Sequence, residues 1–307
     1  MNPYDYTRDA SSFNLCLRGE GKKWRHYAVD FPVTFTTQHG KYQTVRGEYF
    51  QPRGTKRAPL VVLLHGVGDV SVLPCKYLAR SLSRQGIACF IPYLFVHSSR
   101  MPDVVRKRLP ALSDDEWYEG YRMSVIEVRQ VVDWAGSRAE IDEERIGVVG
   151  ISFGGFISAI AMAVDERIGA GVFLVSAGNS SKIAQKARAS AIRRGYRVSE
   201  AEYNNIQNAY TEYLTEVAER GFDQVVPARR SFLNDPMTYA CNLQQRPVLM
   251  INARWDEFVP REAVEDFWQA CGRPDIVWFA ATHATVWLWY PAIKRKIGGF
   301  LESVFGV

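Results

Sequence analysis

The sequence predicts an α/β domain built on a mostly parallel sheet of about eight strands, with helices on its faces. Three observations carry this. Short apolar runs such as Leu60-Val61-Val62-Leu63-Leu64 are continuous rather than alternating, as in strands buried on both faces of a parallel sheet. Stretches with apolar residues three and four apart separate most of these runs and read as helices. A long strandless stretch, residues 179–240, interrupts the alternation late in the chain.

Taken in order, residues 25–36 and 44–50 form two opening strands, the first with alternating apolar positions at Tyr27, Val29, Phe31 and Val33. Residues 60–64 follow as the first buried strand. Residues 74–84 have helical spacing and stop at Gln85-Gly86. Ile87–Pro92 is a second buried strand, and residues 120–137 form an amphipathic helix with Val125, Val128, Val132 and Ala135 on one face. Ile146–Val149, Gly171–Val175, Val248–Asn252 and Ile276–Ala280 complete the strands.

This pattern divides the chain into a core of residues 1–178 and 241–307 and an inserted helical cap of residues 179–240. Residues 1–44 read as an N-terminal extension with a leading strand. Within the cap, residues 199–220 are helical by the spacing of Tyr203, Ile206, Tyr210, Leu214 and Val217, and Ser199 with Glu202 forms a capping box. Ahead of them, Lys182, Lys186, Arg188, Arg193, Arg194 and Arg197 stand with no acid between them. They read as a solvated helix face; a basic lid edge that attracts anionic substrates is the sharper alternative.

Composition narrows the function classes. A chain of 307 residues with 47% hydrophobic and 23% charged residues buries a sizeable core. The 38 basic and 33 acidic residues leave a net charge of +5, with no compact Lys/Arg block, so no nucleic-acid partner is expected. Five scattered cysteines (Cys16, Cys75, Cys89, Cys241, Cys271) include no C-x-x-C pair, which argues against a zinc or redox site and for a reducing compartment. No secretory signal and no apolar run of membrane-spanning length is visible, so the expectation is a cytoplasmic protein without a membrane span. Nothing in the sequence sets the oligomeric state.

The chemistry is concentrated in Gly150-Ile151-Ser152-Phe153-Gly154. This segment runs from an apolar strand into a small-residue helix, as a nucleophile elbow does. A serine on such a turn projects its hydroxyl from the sheet, but its own pKa leaves it un-ionised near neutrality, so it needs a base. His283, in Ala281-Thr-His-Ala-Thr, lies just past a predicted strand, and Asp256 lies just past another. A histidine takes the serine proton and returns it to the leaving group, and a carboxylate on its far nitrogen fixes the tautomer. The chain order Ser152, Asp256, His283 is the one expected for this arrangement. Asp256 is preferred over the adjacent Glu257 by its position in Trp255-Asp-Glu-Phe-Val-Pro. His26 and His39 precede the main sheet and fit the role of base poorly. His97, Gly66 and Trp287 are candidates for the substrate pocket, with Trp289 beside them, although both tryptophans read equally well as core. Asp69 reads as an organiser of its loop. No metal or organic cofactor is expected.

With the elbow, the His65-Gly66 loop and the Asp256…His283 tail, the chain resembles the α/β-hydrolases over roughly residues 45–305, and most of all the dienelactone hydrolase and prolyl-oligopeptidase-like esterase branch. The resemblance implies a central sheet of about eight strands with a cap after the sixth. It implies an oxyanion hole from the backbone N–H groups of Phe153 and Val67, and a loop-shaping role for His65. Ser152 stands where the dienelactone hydrolases carry cysteine, and the chain leaves no room for a large N-terminal β-propeller. The expected function is hydrolysis of a small-molecule carboxylic ester through an acyl-enzyme. The rivals are a peptidase or thioesterase with the same triad, or a catalytically silent binding protein of this fold.

Overall fold

In a computed structural model, residues 2–8, 13–36, 39–68 and 72–307 are described. Asp69 lies outside them. The strands are β1 (Asn14–Glu20), β2 (Trp24–Pro32), β3 (Thr44–Pro52), β4 (Ala58–Leu64), β5 (Ala88–Pro92), β6 (Ile141–Ile151), β7 (Ile168–Leu174), β8 (Val248–Ala253) and β9 (Asp275–Phe279). They form one sheet of nine strands in the order β1-β2-β3-β5-β4-β6-β7-β8-β9. From β5 to β9 the strands are parallel, while β1, β2 and β3 pair antiparallel at one side.

The helices are α1 (Leu73–Ser83), α2 (Asp103–Arg108), α3 (Asp114–Gly136), α4 (Phe153–Val164), α5 (Ser180–Lys186), α6 (Ser190–Tyr196), α7 (Glu200–Arg220), α8 (Arg261–Ala270) and α9 (Tyr290–Phe305). The predicted class therefore holds, with one strand more than the sequence marks. That strand, β1, pairs only with β2, and most of its residues are exposed. An edge strand exposed on both faces carries no apolar alternation, so it left no clear signal. The N-terminal extension thus supplies two strands to the sheet, and His26 sits within it on β2.

Alternation along the central strands sends side chains to two apolar cores. Leu60, Val62 and Leu64 of β4 face α3 and α4, packing with Val128, Val132, Ile157 and Ile160. Val61 and Leu63 face the other way, against Leu78 and Leu82 of α1 and Ile293, Ile297 and Leu301 of α9. Helix α3 begins at Asp114, ahead of the predicted residue 120. Its first turn is polar, but it carries a full capping box: the Ser113 hydroxyl accepts from the Glu116 N–H at 3.2 Å, and the Glu116 carboxylate accepts from the Ser113 N–H at 2.8 Å.

Between β7 and β8 the chain from Ser180 to Leu243 holds α5, α6 and α7 joined by loops, and closes with two 3₁₀ segments, Arg230–Asn234 and Pro236–Leu243. At the start of α7, the Ser199 hydroxyl accepts from the Glu202 N–H at 3.2 Å, which is half of the expected box. Tyr210, Tyr213, Val217, Val225 and Phe232 give this region a small apolar cluster of its own. The N-terminus reaches it as well. Tyr4, fully buried, donates its hydroxyl to the Leu233 carbonyl at 2.7 Å, and the Tyr239 hydroxyl reaches the same oxygen at 2.6 Å.

Candidate active site

Ser152 sits between β6 and α4 with φ 53° and ψ −118°, a left-handed backbone that costs a non-glycine residue about 1–3 kcal/mol. The surrounding contacts hold it there. Its N–H donates to the Leu174 carbonyl of β7 at 2.8 Å. A Cβ on Gly150 would lie 2.1 Å from the Gly154 carbonyl oxygen, and one on Gly154 would lie 2.3 Å from that of Leu64. Only bare backbone lets α4 start this close to the sheet.

His283 and Asp256 come to Ser152 from the loops after β9 and β8. The His283 Nε2 lies 3.0 Å from the Ser152 Oγ, and its Nδ1 lies 2.7 Å from Asp256 Oδ2. A proton on Nδ1 serves the carboxylate and leaves Nε2 to accept from the hydroxyl. The Asp256 side chain is 4% exposed, and its Oδ1 accepts the N–H groups of Phe258 and Val259, each at 2.8 Å. Its orientation is therefore set by backbone rather than by solvent.

Glu257 has a separate position. Its Oε2 accepts the backbone N–H of His283 at 3.1 Å, so neighbouring acids hold the imidazole and the main chain of one residue. The Glu257 carbonyl accepts the N–H groups of Arg188 and Ala189, both at 2.8 Å, and the Arg188 guanidinium donates to the Trp255 carbonyl at 3.1 Å. Arg188 is thus docked on the loop that carries Asp256, not merely solvated. Lys182 pairs with Asp266 of α8 and Lys186 lies over the Tyr203 ring, whereas Arg193, Arg194 and Arg197 have no partner among the described residues.

The loop after β4 passes beside the serine. A Cβ on Gly66 would lie 3.4 Å from Ser152 Cβ, and Val67, the next residue, is exposed. Phe153 is the first residue of α4, so its N–H has no acceptor within the helix and stands at the positive end of the helix dipole. His65 ties this loop to the one after β5: Nδ1 donates to the Gly66 carbonyl at 2.8 Å, and Nε2 accepts from the Leu94 N–H at 2.9 Å. Burial keeps this ring neutral and pushes its pKa down to about 4. His97 is buried under the same loop, stacked on Tyr93 at 4.1 Å with its Nδ1 2.8 Å from the Ser99 hydroxyl. The loop is anchored by Arg100, which is itself buried and makes a two-pronged bond to Glu127 at 2.6 and 2.8 Å.

A cavity of about 280 Å³ opens on the other side of Phe153, between α3 and the helices α5 to α7. Trp117, Tyr121, Tyr196 and Phe232 line it with Phe153. Gly66, His97 and Trp287 do not line it: Gly66 abuts Ser152, and Trp287 packs against the core beneath α1 and α9. Trp289 is half exposed and lies tilted against the Phe279 ring. Trp117 and Tyr121 are four apart on one helix face, a spacing that could have marked this wall, but the predicted helix over 120–137 left Trp117 outside it.

Among the described residues, no group of three His, Cys, Asp or Glu side chains is placed to hold a metal ion, and no helix is long and apolar enough to cross a membrane. No curated protein matches the chain. Solved structures similar to it include the acetyl xylan esterase from Paenibacillus sp. R4, 18% identical with a TM-score of 0.67, over 95% of this chain and 88% of that one. A cold-adapted esterase from an Arctic intertidal metagenomic library is 16% identical with a TM-score of 0.62, over 94% and 99% of the two chains. The acylaminoacyl peptidase of Pyrococcus horikoshii is 15% identical with a TM-score of 0.62, over 95% of this chain but 41% of its own. At such identities these likenesses speak for the fold. The family model described as alpha/beta hydrolase domain containing 18 matches residues 40–299, most of the sheet and all of the helical insertion, and the chain belongs to that family of α/β-hydrolases.

Proposed function

We propose that this chain is a serine hydrolase that cleaves carboxylic esters through an acyl-enzyme. The observation that carries the reading is the continuous hydrogen-bonded chain Ser152–His283–Asp256, with a strained serine at one end and a buried acid at the other. Ser152 attacks the ester carbonyl while His283 accepts its proton, and Asp256 steadies the imidazolium that forms. The N–H groups of Phe153 and Val67 receive the oxyanion, each worth about 3 kcal/mol in the transition state. His283 then protonates the leaving alkoxide, and water enters by the same steps to release the acid. The helices from Ser180 to Leu243 serve as a cap over this site, and Arg188 is its tie to the acid loop.

Esters are favoured because the esterases named above match along most or nearly all of their chains. The scattered cysteines with no C-x-x-C pair support a reducing, cytoplasmic setting. A fluorophosphonate probe tests the reaction: mass spectrometry is expected to find the adduct on Ser152. A chain that stays unlabelled overturns the hydrolase reading and favours a binding protein. A panel of nitrophenyl esters against aminoacyl amides tests the bond type, and faster amide cleavage overturns the ester assignment.

A further inference from the structure

We infer that the cavity beside Phe153 receives an uncharged aromatic ring carrying one hydrogen-bonding substituent, as the ring-bearing part of an ester. This rests on the hydrolase reading above. Phe153 joins the two places, because its backbone borders Ser152 while its side chain forms a cavity wall. A ligand filling the cavity therefore begins one residue away from the reacting carbonyl.

The walls are mainly aromatic. Tyr121 meets Phe153 edge to face, with centroids 5.0 Å apart and planes at 82°, and Trp117 lies 6.1 Å from the same ring. Such walls leave faces and edges for one more ring to complete. A volume of about 280 Å³ is small for a ligand pocket, with room for a ring and a short link rather than for a long chain.

Charge is absent from the interior in effect. Asp114 and Arg229, both lining, stand 3.6 Å apart as a pair. Asp235 accepts the backbone N–H groups of Asn179, Ser180 and Met237. With every lining charge engaged, a charged ligand finds no counter-ion and pays its desolvation in full.

Four lining groups are open to polar recognition: Tyr121, Asn234 and the hydroxyls of Ser180 and Ser231, whose side chains have no hydrogen-bond partner among the described residues. Tyr196 accepts from the Trp117 indole at 3.0 Å and donates to the Leu109 carbonyl at 2.9 Å, and the Tyr210 hydroxyl lies 3.3 Å from that of Thr238. Of the lining phenols and carboxamides, only Tyr121 and Asn234 have no hydrogen-bond partner among the described residues. Asn234 is 6% exposed, and the backbone before it is fixed by the Tyr4 and Tyr239 hydroxyls on the Leu233 carbonyl. The Asn234 amide keeps its polar atoms accessible at the cavity wall, where they can pair with a ligand hydroxyl or carbonyl.

The test compares methyl 4-hydroxycinnamate, methyl cinnamate, 4-hydroxybenzyl acetate and methyl octanoate as substrates of the purified chain. At least one ring ester is expected to exceed methyl octanoate about tenfold in kcat/KM, with the cinnamate hydroxyl adding roughly fivefold, the scale of one neutral hydrogen bond. Asn234→Leu is expected to bring the hydroxylated-to-plain ratio close to one. Ile192→Trp, at a half-exposed lining position, fills the cavity without disturbing the core and is expected to raise the KM of the preferred ring ester about tenfold. Octanoate turnover equal to that of both ring types, or an unchanged KM in Ile192→Trp, overturns the inference. Calorimetry of methyl 4-hydroxycinnamate with Ser152→Ala separates the two readings. Binding there with no ester turnover by the native chain removes the hydrolase reading and keeps the pocket. Labelling of Ser152 with octanoate preferred removes the pocket alone.

Discussion

The loops after β6, β8 and β9 and the helical segment from α5 to α7 adjoin at the same site, but they are held in different ways. The loops are short and pinned by backbone: Ser152 through Leu174, Asp256 through Phe258 and Val259, His283 through Glu257. The helical segment has a small aromatic cluster beside it and is tied to the rest by a few polar contacts, Lys182 to Asp266, Tyr196 to Trp117 and Leu109, and Arg188 with Ala189 to the acid loop. The geometry proposed for catalysis is thus part of the sheet, while the proposed recognition surface rests on a piece that contributes little to the sheet's own packing. Substitutions in the first region are expected to change rate with little effect on binding, and substitutions in the second the reverse.

The sharpest division comes from Ser152→Ala, expected to lower kcat by about 10⁴-fold or more while the melting temperature moves by only a few degrees. Turnover and a thermal melt on the same sample check this; a chain that unfolds instead puts the strained serine in a structural role. Asp256→Asn is expected to cost about 10³–10⁴-fold in kcat, with KM for the best ester within about threefold. A rise in KM of the same size as the loss in kcat breaks the comparison.

A third expectation concerns stability. The unfolded chain takes up a proton at His65 near the ordinary value of about 6.5, but the buried ring in the folded chain resists it until about 4. Stability is therefore whole at neutral pH and falls as the pH drops from about 6.5 towards 4, by roughly 3 kcal/mol in all. Urea unfolding at pH 7 and pH 4.5 measures the loss, and His65→Gln, which takes up no proton, is expected to flatten that part of the profile.

Smaller effects locate the seam. Glu257→Ala is expected to lower kcat about tenfold by releasing the His283 main chain, and Glu257→Gln, which still accepts that hydrogen bond, is expected to restore most of it. Lower stability with unchanged kcat in the alanine variant makes Glu257 purely structural. Arg188→Ala is expected to raise KM about threefold with kcat nearly constant. An equal fall in kcat moves Arg188 to the catalytic side of the comparison.

The same division governs what the sequence reveals. Strand ends are legible because a continuous apolar run stops at a recognisable point, and Ser152, Asp256 and His283 each follow such a stop. The early start of α3 was written in the Ser113-x-x-Glu116 box, which a search by apolar spacing passes over. β1 was hidden by its exposure at the sheet edge. The cavity had the least signal. Its walls bring Trp117, Phe153, Ile192 and Asn234 together from four separate elements, and no spacing in the chain encodes that meeting. Glu257 was visible only as a rival to its neighbour, since nothing local says which acid takes the ring and which the main chain.

The bond from the Glu257 carbonyl to the Arg188 and Ala189 amides carries a consequence for heat. Because the helical segment is fastened to the loop that orients the proposed base, loosening it disorders that loop while the nine-stranded sheet remains intact. Warming is therefore expected to extinguish the proposed hydrolytic turnover some degrees below the temperature at which the ellipticity of the chain collapses, and cooling from that interval to bring the turnover back.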